Sequence, residues 1–226
     1  RKVMENHTYD KRLGYVLDKV GLPRPSLKRP FFTVMSIVKD IPFMVNLQKS
    51  LVRQTYRDFN IVLILDNRFH KKAAVKFQNA LPDNRIELLS QDSERSLGEH
   101  LRSTHSSHIA VFNGEDYYGP NYLNDYALST RYTQYNYLGK ATHFVCDSGK
   151  SILRNPGAEF RLVSQAPVST IAIKTEVIDP DYFSKLIRSE VFECNGKDIL
   201  SLDRFNYMGM GLNKELPANL LASVGI

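Results

Sequence analysis

Four short apolar runs alternate with amphipathic segments between residues 31 and 112, and this alternation restricts the fold more than any other feature of the sequence. The runs are Thr33 to Val38, Ile61 to Leu65, Ile86 to Leu89 and His108 to Phe112. Each has the length and apolar content of a buried parallel strand. The residues that repeat at helical spacing between them are Phe43, Leu47 and Leu51, then Ala73, Phe77, Ala80 and Leu81, then Leu97 and Leu101. Strands that alternate with helices predict an α/β domain with a mostly parallel sheet flanked by helices.

The length and composition fit one catalytic-sized domain. The 226 residues, 42% of them hydrophobic, can bury the core of one α/β domain and are too few for two large ones. The net charge of +6 is spread along the chain, which suits an anionic partner, and no clustered basic stripe indicates nucleic acid. Cys146 and Cys194 lie far apart without metal-ligand spacing, so a reducing, cytoplasmic setting is expected. No apolar run is long enough to span a bilayer.

Two regions flank the alternating pattern. Residues 8–20 predict a helix, and the proline-rich linker that follows means that residues 1–30 either pack on the back of the domain or form the tail of an upstream domain. The start at Arg1 suggests a fragment. Residues 31–118 would form the half with the parallel sheet, and residues 119–226 a smaller, mixed half. The elements expected in that second half are helices at Pro120 to Arg131 and near Pro180 to Arg188, and strands at Tyr137 to Val145, Phe160 to Val163 and Val168 to Ile173.

Acidic and amide side chains follow several of the predicted strands. Asp40 follows the first strand, Asp66 the second, and Asn113 to Asp116 the fourth. Ligands of parallel sheets bind at the carboxyl ends of the strands, where such acids can contact a ribose or hold a divalent metal. Asp66 is also compatible with a turn, and the pair Glu115 and Asp116 with a charge pair beside a helix amino terminus.

The order of these features resembles a family 2 glycosyltransferase with the GT-A fold. The resemblance lies in the segment 50–59, with the sequence SLVRQTYRDF, and the strand ending at Asp66. It continues through Ser96, Leu97, Gly98 and Arg102 to the position of the DxD motif at 113–116 and the helix start 118–123. It covers about residues 31–210 and implies an inverting enzyme that uses a nucleotide-sugar donor, usually a UDP-sugar, with Mn²⁺ or Mg²⁺ bridging the diphosphate. It also implies that residues 31–118 are the nucleotide-binding half and residues 119–226 the acceptor half.

The resemblance also implies roles for single residues. Asp66 would contact the uridine, Arg102 the phosphates, and Glu115 and Asp116 the metal, although Arg102 is also compatible with an ordinary surface arginine. Asn113 stands where the motif has its first acid, and its amide brings no charge to the metal. The expected nucleotide-binding residues are Val38, Asp40, Asp66, Arg102, Asn113 and Gly114.

An inverting transfer needs a base for the acceptor hydroxyl, and the family takes an acid from the second half of the domain. Asp203 is the candidate, with Asp198 and Glu193 as rivals. Asp203 could instead pair with Arg204 or cap a helix. His143 lies on a strand expected on the acceptor side, where it would hold a phosphate or a sugar hydroxyl, although a single histidine on a strand is more often structural.

Two functions follow from this pattern. The first is sugar transfer from a nucleotide-sugar to a saccharide, polyol-phosphate or glycoprotein acceptor, or another anionic polymer of a bacterial cell surface, assisted by a divalent metal. The alternative is a degenerate sugar-nucleotide-binding or scaffold module, which the loss of an acid at Asn113 favours. A cytoplasmic location is expected, with peripheral contact at the inner face of the membrane left open.

Overall fold

A computed structural model describes residues 9–23, 29–65, 77–79, 81, 86–90, 99–101, 103–179, 189–194 and 198–210. Asp66, Arg102 and the helix expected at 180–188 lie outside these residues. The first helix, α1, spans Tyr9–Lys19, and the apolar residues Leu13 and Val16 in it and Val20 after it are more than half exposed. Within the described residues, no helix is long and apolar enough to cross a membrane.

The first half of the domain is the predicted parallel sheet. Its strands are β1 (Phe32–Val38), β2 (Phe59–Leu65), β3 (Ile86–Ser90) and β4 (His108–Val111). They lie in the order β3-β2-β1-β4 and all pair in parallel. The chain proceeds outward from β1 in one direction through β2 and β3, and β4 then returns to the other side of β1. The boundary between β1 and β4 is therefore a topological switch point, where the carboxyl ends of the strands leave a crevice.

Side chains of these strands alternate between two apolar cores. On β1, Phe32, Val34 and Val38 point to the core that contains helix α2 (Ile41–Val52) and helix α3 (Tyr122–Ser129). Met35 points to the opposite core. Because both faces are covered, these strands are apolar along most of their length, as their sequence suggested.

The second half is more divided than the sequence suggested. The large sheet continues from β4 through β11 (Ala172–Lys174), β6 (Tyr137–Gly139), β13 (Ile199–Ser201) and β9 (Leu162–Val163). A second sheet has the order β5-β14-β7-β8, with strands Tyr117–Tyr118, Tyr207–Gly209, His143–Asp147 and Lys150–Arg154. The strands β10 (Gln165–Pro167) and β12 (Val191–Glu193) form a separate pair.

Three expected elements have different bounds because the backbone turns between sheets. The expected strand 137–145 is broken at 140–142, so that β6 and β7 belong to different sheets. The expected strand 168–173 begins with a short 3-10 turn, Val168–Thr170, and another such turn, Thr175–Val177, follows β11. Phe160, the expected start of a strand, has a left-handed φ of 55° and precedes β9.

Gln54 joins the end of α2 to the start of α3. Its amide nitrogen donates to the carbonyls of Ser50 and Gly119 at 3.0 and 2.9 Å, and its amide oxygen accepts from the Leu123 nitrogen at 3.0 Å. The side chain is fully buried, so these three bonds replace water entirely. They fix the position of residues 119–123, which directly follow the end of β5.

The substitution Gln54→Leu is therefore expected to destabilise the protein by about 3 kcal/mol, because it leaves buried backbone groups without partners. Gln48→Leu, at a partly buried position of the same helix, is the matched control and should change the free energy of unfolding by roughly 0.5 kcal/mol or less. Urea unfolding monitored by circular dichroism measures both. Equal effects of the two substitutions would show that Gln54 does not have this role.

Candidate functional site

Residues 113–116 form a tight turn, here called the acidic turn, directly after β4. The Asp116 nitrogen donates to the Asn113 carbonyl at 3.0 Å, and the Glu115 nitrogen donates to Asn113 Oδ1 at 3.2 Å. Asn113 Nδ2 donates to Asp116 Oδ2 at 3.2 Å. Both ends of the Asn113 amide are thus used inside the turn, which is the behaviour that makes Asn common in turns.

Asp116 ties the acidic turn to β14. Its Oδ2 accepts from the Tyr207 hydroxyl at 2.9 Å, and its Oδ1 accepts from the Met210 nitrogen at 3.2 Å. Burial raises the pKa of Asp116, and hydrogen bonds from Met210, Tyr207, Ser169 and Asn113 oppose part of that rise. Both oxygens are committed to protein donors, so the structure gives this predicted metal ligand a role in holding two sheets together.

Gly114 and Asp40 bring the acidic turn against the start of α2. Asp40 caps the helix by accepting from the Phe43 nitrogen at 2.7 Å, so its carboxylate serves the helix. A Cβ at Gly114 would lie 2.4 Å from the Phe43 carbonyl oxygen and 2.6 Å from its ring. Only glycine fits this approach of the turn to the helix. Val38, at the end of β1, is fully buried beneath the same junction.

Glu115 is the exposed acid of the turn, and Lys39 lies beside it. The Lys39 Nζ atom is 3.6 Å from Glu115 Oε2, and both side chains are about half exposed. An exposed pair of this kind contributes roughly 0 to 1 kcal/mol, so it separates easily. Within the described residues, the switch point therefore presents a carboxylate and an ammonium group that can exchange their mutual contact for a ligand.

Four buried tyrosines, here called the tyrosine cluster, lie behind the acidic turn: Tyr118, Tyr122, Tyr126 and Tyr207. Neighbouring rings are 4.8 to 5.5 Å apart between centroids. Their hydroxyls bond to buried polar groups, and two of these bonds, from Tyr118 and Tyr126, reach the carbonyls of Ser169 and Thr170. Burial raises the pKa of all four tyrosines, so they remain protonated donors at neutral pH.

Asp203 lies beyond the tyrosine cluster, in the loop between β13 and β14. Its Oδ1 accepts from the Phe205 nitrogen at 2.9 Å and lies 3.0 Å from Lys140 Nζ. Lys140 is fully buried, and its ammonium group lies 5.9 Å from the ring centroids of Tyr122 and Tyr126. Arg204 does not pair with Asp203, because its guanidinium forms a bidentate ion pair with Glu159.

His143 contacts the tyrosine cluster from β7. Its ring centroid is 5.6 Å from that of Tyr207, and its Nδ1 donates to the Ala141 carbonyl at 3.0 Å. Burial lowers the pKa of His143, and the Arg154 charge lowers it further. The ring is therefore a neutral imidazole at physiological pH.

The predicted residues thus fall into three groups. Val38, Asp40, Asn113, Gly114, Glu115 and Asp116 meet at the crevice between β1 and β4. Asp203 and His143 are connected to that crevice through Lys140 and the tyrosine cluster. The rival bases lie on other elements, since Glu193 ends β12 and Asp198 directly precedes β13.

Three residues near the site escaped the sequence reasoning as contributors. Lys39 follows the first predicted strand without belonging to any motif, Lys140 is one lysine among many, and Tyr207 is distant in sequence from the acidic turn that it contacts. Of these three residues, only Lys39 had a sequence position that could have indicated a role in the site, because it lies next to Asp40 at the end of a predicted strand. Within the described residues, no three His, Cys, Asp or Glu side chains form a group that could hold a metal alone.

Several solved structures have a fold similar to that of this chain. TarS from S. aureus (residues 1–349) superimposes with a TM-score of 0.53 at 14% identity, over 80% of this chain and 60% of that one. The same TarS fragment in complex with UDP-GlcNAc gives a TM-score of 0.52 at 14% identity, over 82% and 60%. The mannosyltransferase PcManGT from Pyrobaculum calidifontis, in complex with GDP-Man and Mn²⁺, gives 0.53 at 12% identity, over 88% and 64%.

These similarities show a GT-A-like fold, as the sequence predicted. The chain spans less than two thirds of the length of each of these structures. No protein-family model and no curated protein matches the chain.

The close approach at Gly114 leads to a test of how the site is built. Gly114→Ala is expected to destabilise the protein by about 1 to 3 kcal/mol, because the new methyl group would overlap the Phe43 backbone. Gly209→Ala, where a Cβ would meet nothing nearer than 3.6 Å, is the control and should be close to neutral. Urea unfolding midpoints compare them. A Gly114→Ala protein as stable as the control would contradict this packing.

Proposed function

We propose that the chain transfers a sugar from a nucleotide-sugar to a saccharide, polyol-phosphate or glycoprotein acceptor, with inversion at the anomeric carbon. The observation that carries this proposal is the position of Lys39 and Glu115 at the switch point of a GT-A-like sheet. A crevice at that point is where an open α/β sheet binds a nucleotide. The two solved complexes similar to this chain hold UDP-GlcNAc and GDP-Man, which supports a nucleotide-sugar donor.

The donor diphosphate would replace the bond between Lys39 and Glu115. The ammonium group of Lys39 would turn to the phosphate oxygens, and Glu115 would be left to hold a cation. The exchange is easy because the pair is exposed and weak. Removing that ammonium group should weaken diphosphate binding, since charge-assisted bonds to phosphate are among the stronger polar contacts.

A divalent metal fits this site if the donor supplies most of its ligands. Mg²⁺ sites commonly combine one or two carboxylates with substrate phosphates and waters, and Glu115 is the exposed carboxylate that would hold the ion. Asp116 is expected to remain with Tyr207 and Met210. When bound, the metal supplies positive charge that offsets the charge developing on the leaving diphosphate.

Asn113 has a physical explanation in this arrangement. Its amide nitrogen lies 3.2 Å from Asp116 Oδ2 and donates to it. A carboxylate at position 113 would place two negative groups at that distance, and one of them would have to take up a proton or bind a cation. The amide thus replaces the charge of the usual first acid with a bond that stabilises the turn.

The acceptor side would use Asp203 as general base. Its Oδ1 is held by Lys140 and Phe205, and within the described residues Oδ2 accepts no hydrogen bond. That oxygen would take the proton of the acceptor hydroxyl while the hydroxyl oxygen bonds to the anomeric carbon. The bond from that carbon to the diphosphate breaks at the same time, and its electrons leave with the nucleotide.

A second function is a sugar-nucleotide-binding module without transfer. It is favoured by Asn113 at the motif position and by the full engagement of Asp116, which leave Glu115 as the free carboxylate of the acidic turn. Such a module would bind the donor without turnover.

Binding and turnover of UDP-GlcNAc, UDP-Glc and GDP-Man, measured with and without Mn²⁺, test these functions. We expect one donor to raise thermal stability by about 2.7 kcal/mol at a concentration of 100 times Kd, with a metal-dependent part that Glu115→Gln removes. Glu176→Gln, which alters an exposed glutamate also close to a lysine, is the matched control. Asp203→Asn should lower kcat roughly 100-fold or more and leave donor binding unchanged.

Each of these measurements has a different result that would contradict the proposed functions or the assigned base. No stabilisation by any of the three donors would contradict both functions. Binding without transfer to water or to a saccharide panel would favour the binding module. Turnover retained by Asp203→Asn would move the base to Asp198 or Glu193.

A further inference from the structure

We propose that Lys140 is the positioning residue that holds the base Asp203, and this inference rests on the proposed function. Lys140 follows β6, and its side chain is 0% exposed. A lysine is seldom buried completely unless its charge is paired. Here the ammonium group has partners that belong to the loop on which the base lies.

Two contacts reach the same residue. Lys140 Nζ donates to the Asp203 carbonyl oxygen at 2.8 Å and to Asp203 Oδ1 at 3.0 Å. The first contact fixes the backbone of the loop, and the second fixes the rotation of the carboxylate. Together with the bond from the Phe205 nitrogen, they leave Oδ2 as the oxygen for the acceptor proton.

The backbone around Lys140 is fixed as well. Its own nitrogen donates to Thr170 Oγ1 at 3.2 Å, and the next nitrogen, of Ala141, donates to Ser201 Oγ at 3.1 Å. The Leu202 nitrogen donates to the Gly139 carbonyl at 2.7 Å. Lys140 therefore extends from a rigid junction between β6 and β13, and it can hold the 202–205 loop against that junction.

Asp125 completes the charge balance around the ammonium group. Its Oδ2 lies 4.0 Å from Lys140 Nζ and accepts from Asn206 Nδ2 at 2.7 Å. Burying a lone ammonium group would cost several kcal/mol, which two nearby carboxylates and the faces of two tyrosines offset. Substituting Lys140 would thus release the base and remove a positive charge from beside the buried Asp125 carboxylate.

The charged and titratable groups around Asp203 come from several elements. They are Lys140 after β6, Asp125, Tyr122 and Tyr126 on α3, Tyr132 after α3, Glu159 before β9, and Arg204 in the same loop. In the described part of the chain, Lys140 is the only one of these residues with a positively charged atom within 3.0 Å of the Asp203 carboxylate. Its removal should therefore leave the Asp203 carboxylate without the contact that fixes its rotation.

Steady-state kinetics of Lys140→Met with the donor identified above tests the inference. We expect kcat to fall roughly 10- to 100-fold while donor Kd stays within about twofold, because a displaced base slows the chemical step without altering donor contacts. In the Asp203→Asn background, Lys140→Met should cause little further loss of kcat.

Lys174→Met is the matched control. Lys174 is a partly buried lysine of the same sheet that bonds the Gln134 carbonyl at 3.0 Å, and it lies opposite His108 at the start of β4, away from the acidic turn. Lys174→Met should leave kcat and donor Kd unchanged. Lys140→Gln, which keeps a donor, replaces the methionine variant if the latter does not fold.

The outcomes separate the two proposals. A wild-type protein that turns over no donor refutes the proposed function and the role of Lys140 with it. An active wild type whose Lys140 variants retain kcat refutes the inference alone. An active wild type in which the Lys140 and Asp203 losses multiply independently also refutes it, because that pattern indicates a general structural effect.

Discussion

The bonds of Asp116 are the interaction on which the rest of the site depends. A carboxylate that loses water must be compensated by hydrogen bonds, and here its partners come from its own turn and from β14. The acidic turn lies between β4 of the large sheet and β5 of the second sheet, and Tyr207 and Met210 belong to or follow β14, which pairs with β5. The pairings of β4 with β11 and of β5 with β14 join the two halves of the domain, and Asp116 adds a buried side-chain connection between them.

The hydrogen bonds of Asp116 explain the structural role of the tyrosine cluster. Tyr207 bonds Asp116 on one side, while Tyr122 and Tyr126 face the ammonium group of Lys140 on the other. The rings exclude water between these two charged groups, and each polar atom at the cluster margin has a protein partner. A buried layer of aromatic rings has a low local dielectric constant, which strengthens the electrostatic interactions on either side of it. The proposed metal site and the proposed base would thus be held relative to each other by packing.

The sequence predicted the parallel half of the fold because each signal there is local. A buried strand appears as an apolar run, and a helix appears as apolar residues that repeat about every 3.6 residues. The sequence did not indicate that Asp40 caps α2, since it placed Asp40 among the expected nucleotide-binding residues. The resemblance to a glycosyltransferase family added the position of the acidic turn and the GT-A fold, and the solved structures support the fold. The roles of Asp66 and Arg102 remain predictions, since both lie outside the described residues.

The remainder of the site could not be predicted because it depends on contacts between distant segments. Lys140 and Asp203 are 63 positions apart, and Tyr207 and Asp116 are 91 positions apart. The break of the expected strand 137–145 has the same origin, since residues 140–142 bond to Thr170, Ser201 and Asn155 instead of continuing one ladder. No periodicity in the sequence records such pairings.

Paramagnetic broadening by Mn²⁺ in the amide NMR spectrum tests the central claim most directly, because it locates the ion. With UDP or GDP present, we expect the signals of residues 38–40 and 113–116 to broaden first, and this effect should disappear in Glu115→Gln. Without nucleotide, the broadening should be weak, since the donor phosphates supply most of the ligands. Broadening centred elsewhere, or unchanged by Glu115→Gln, would contradict the account.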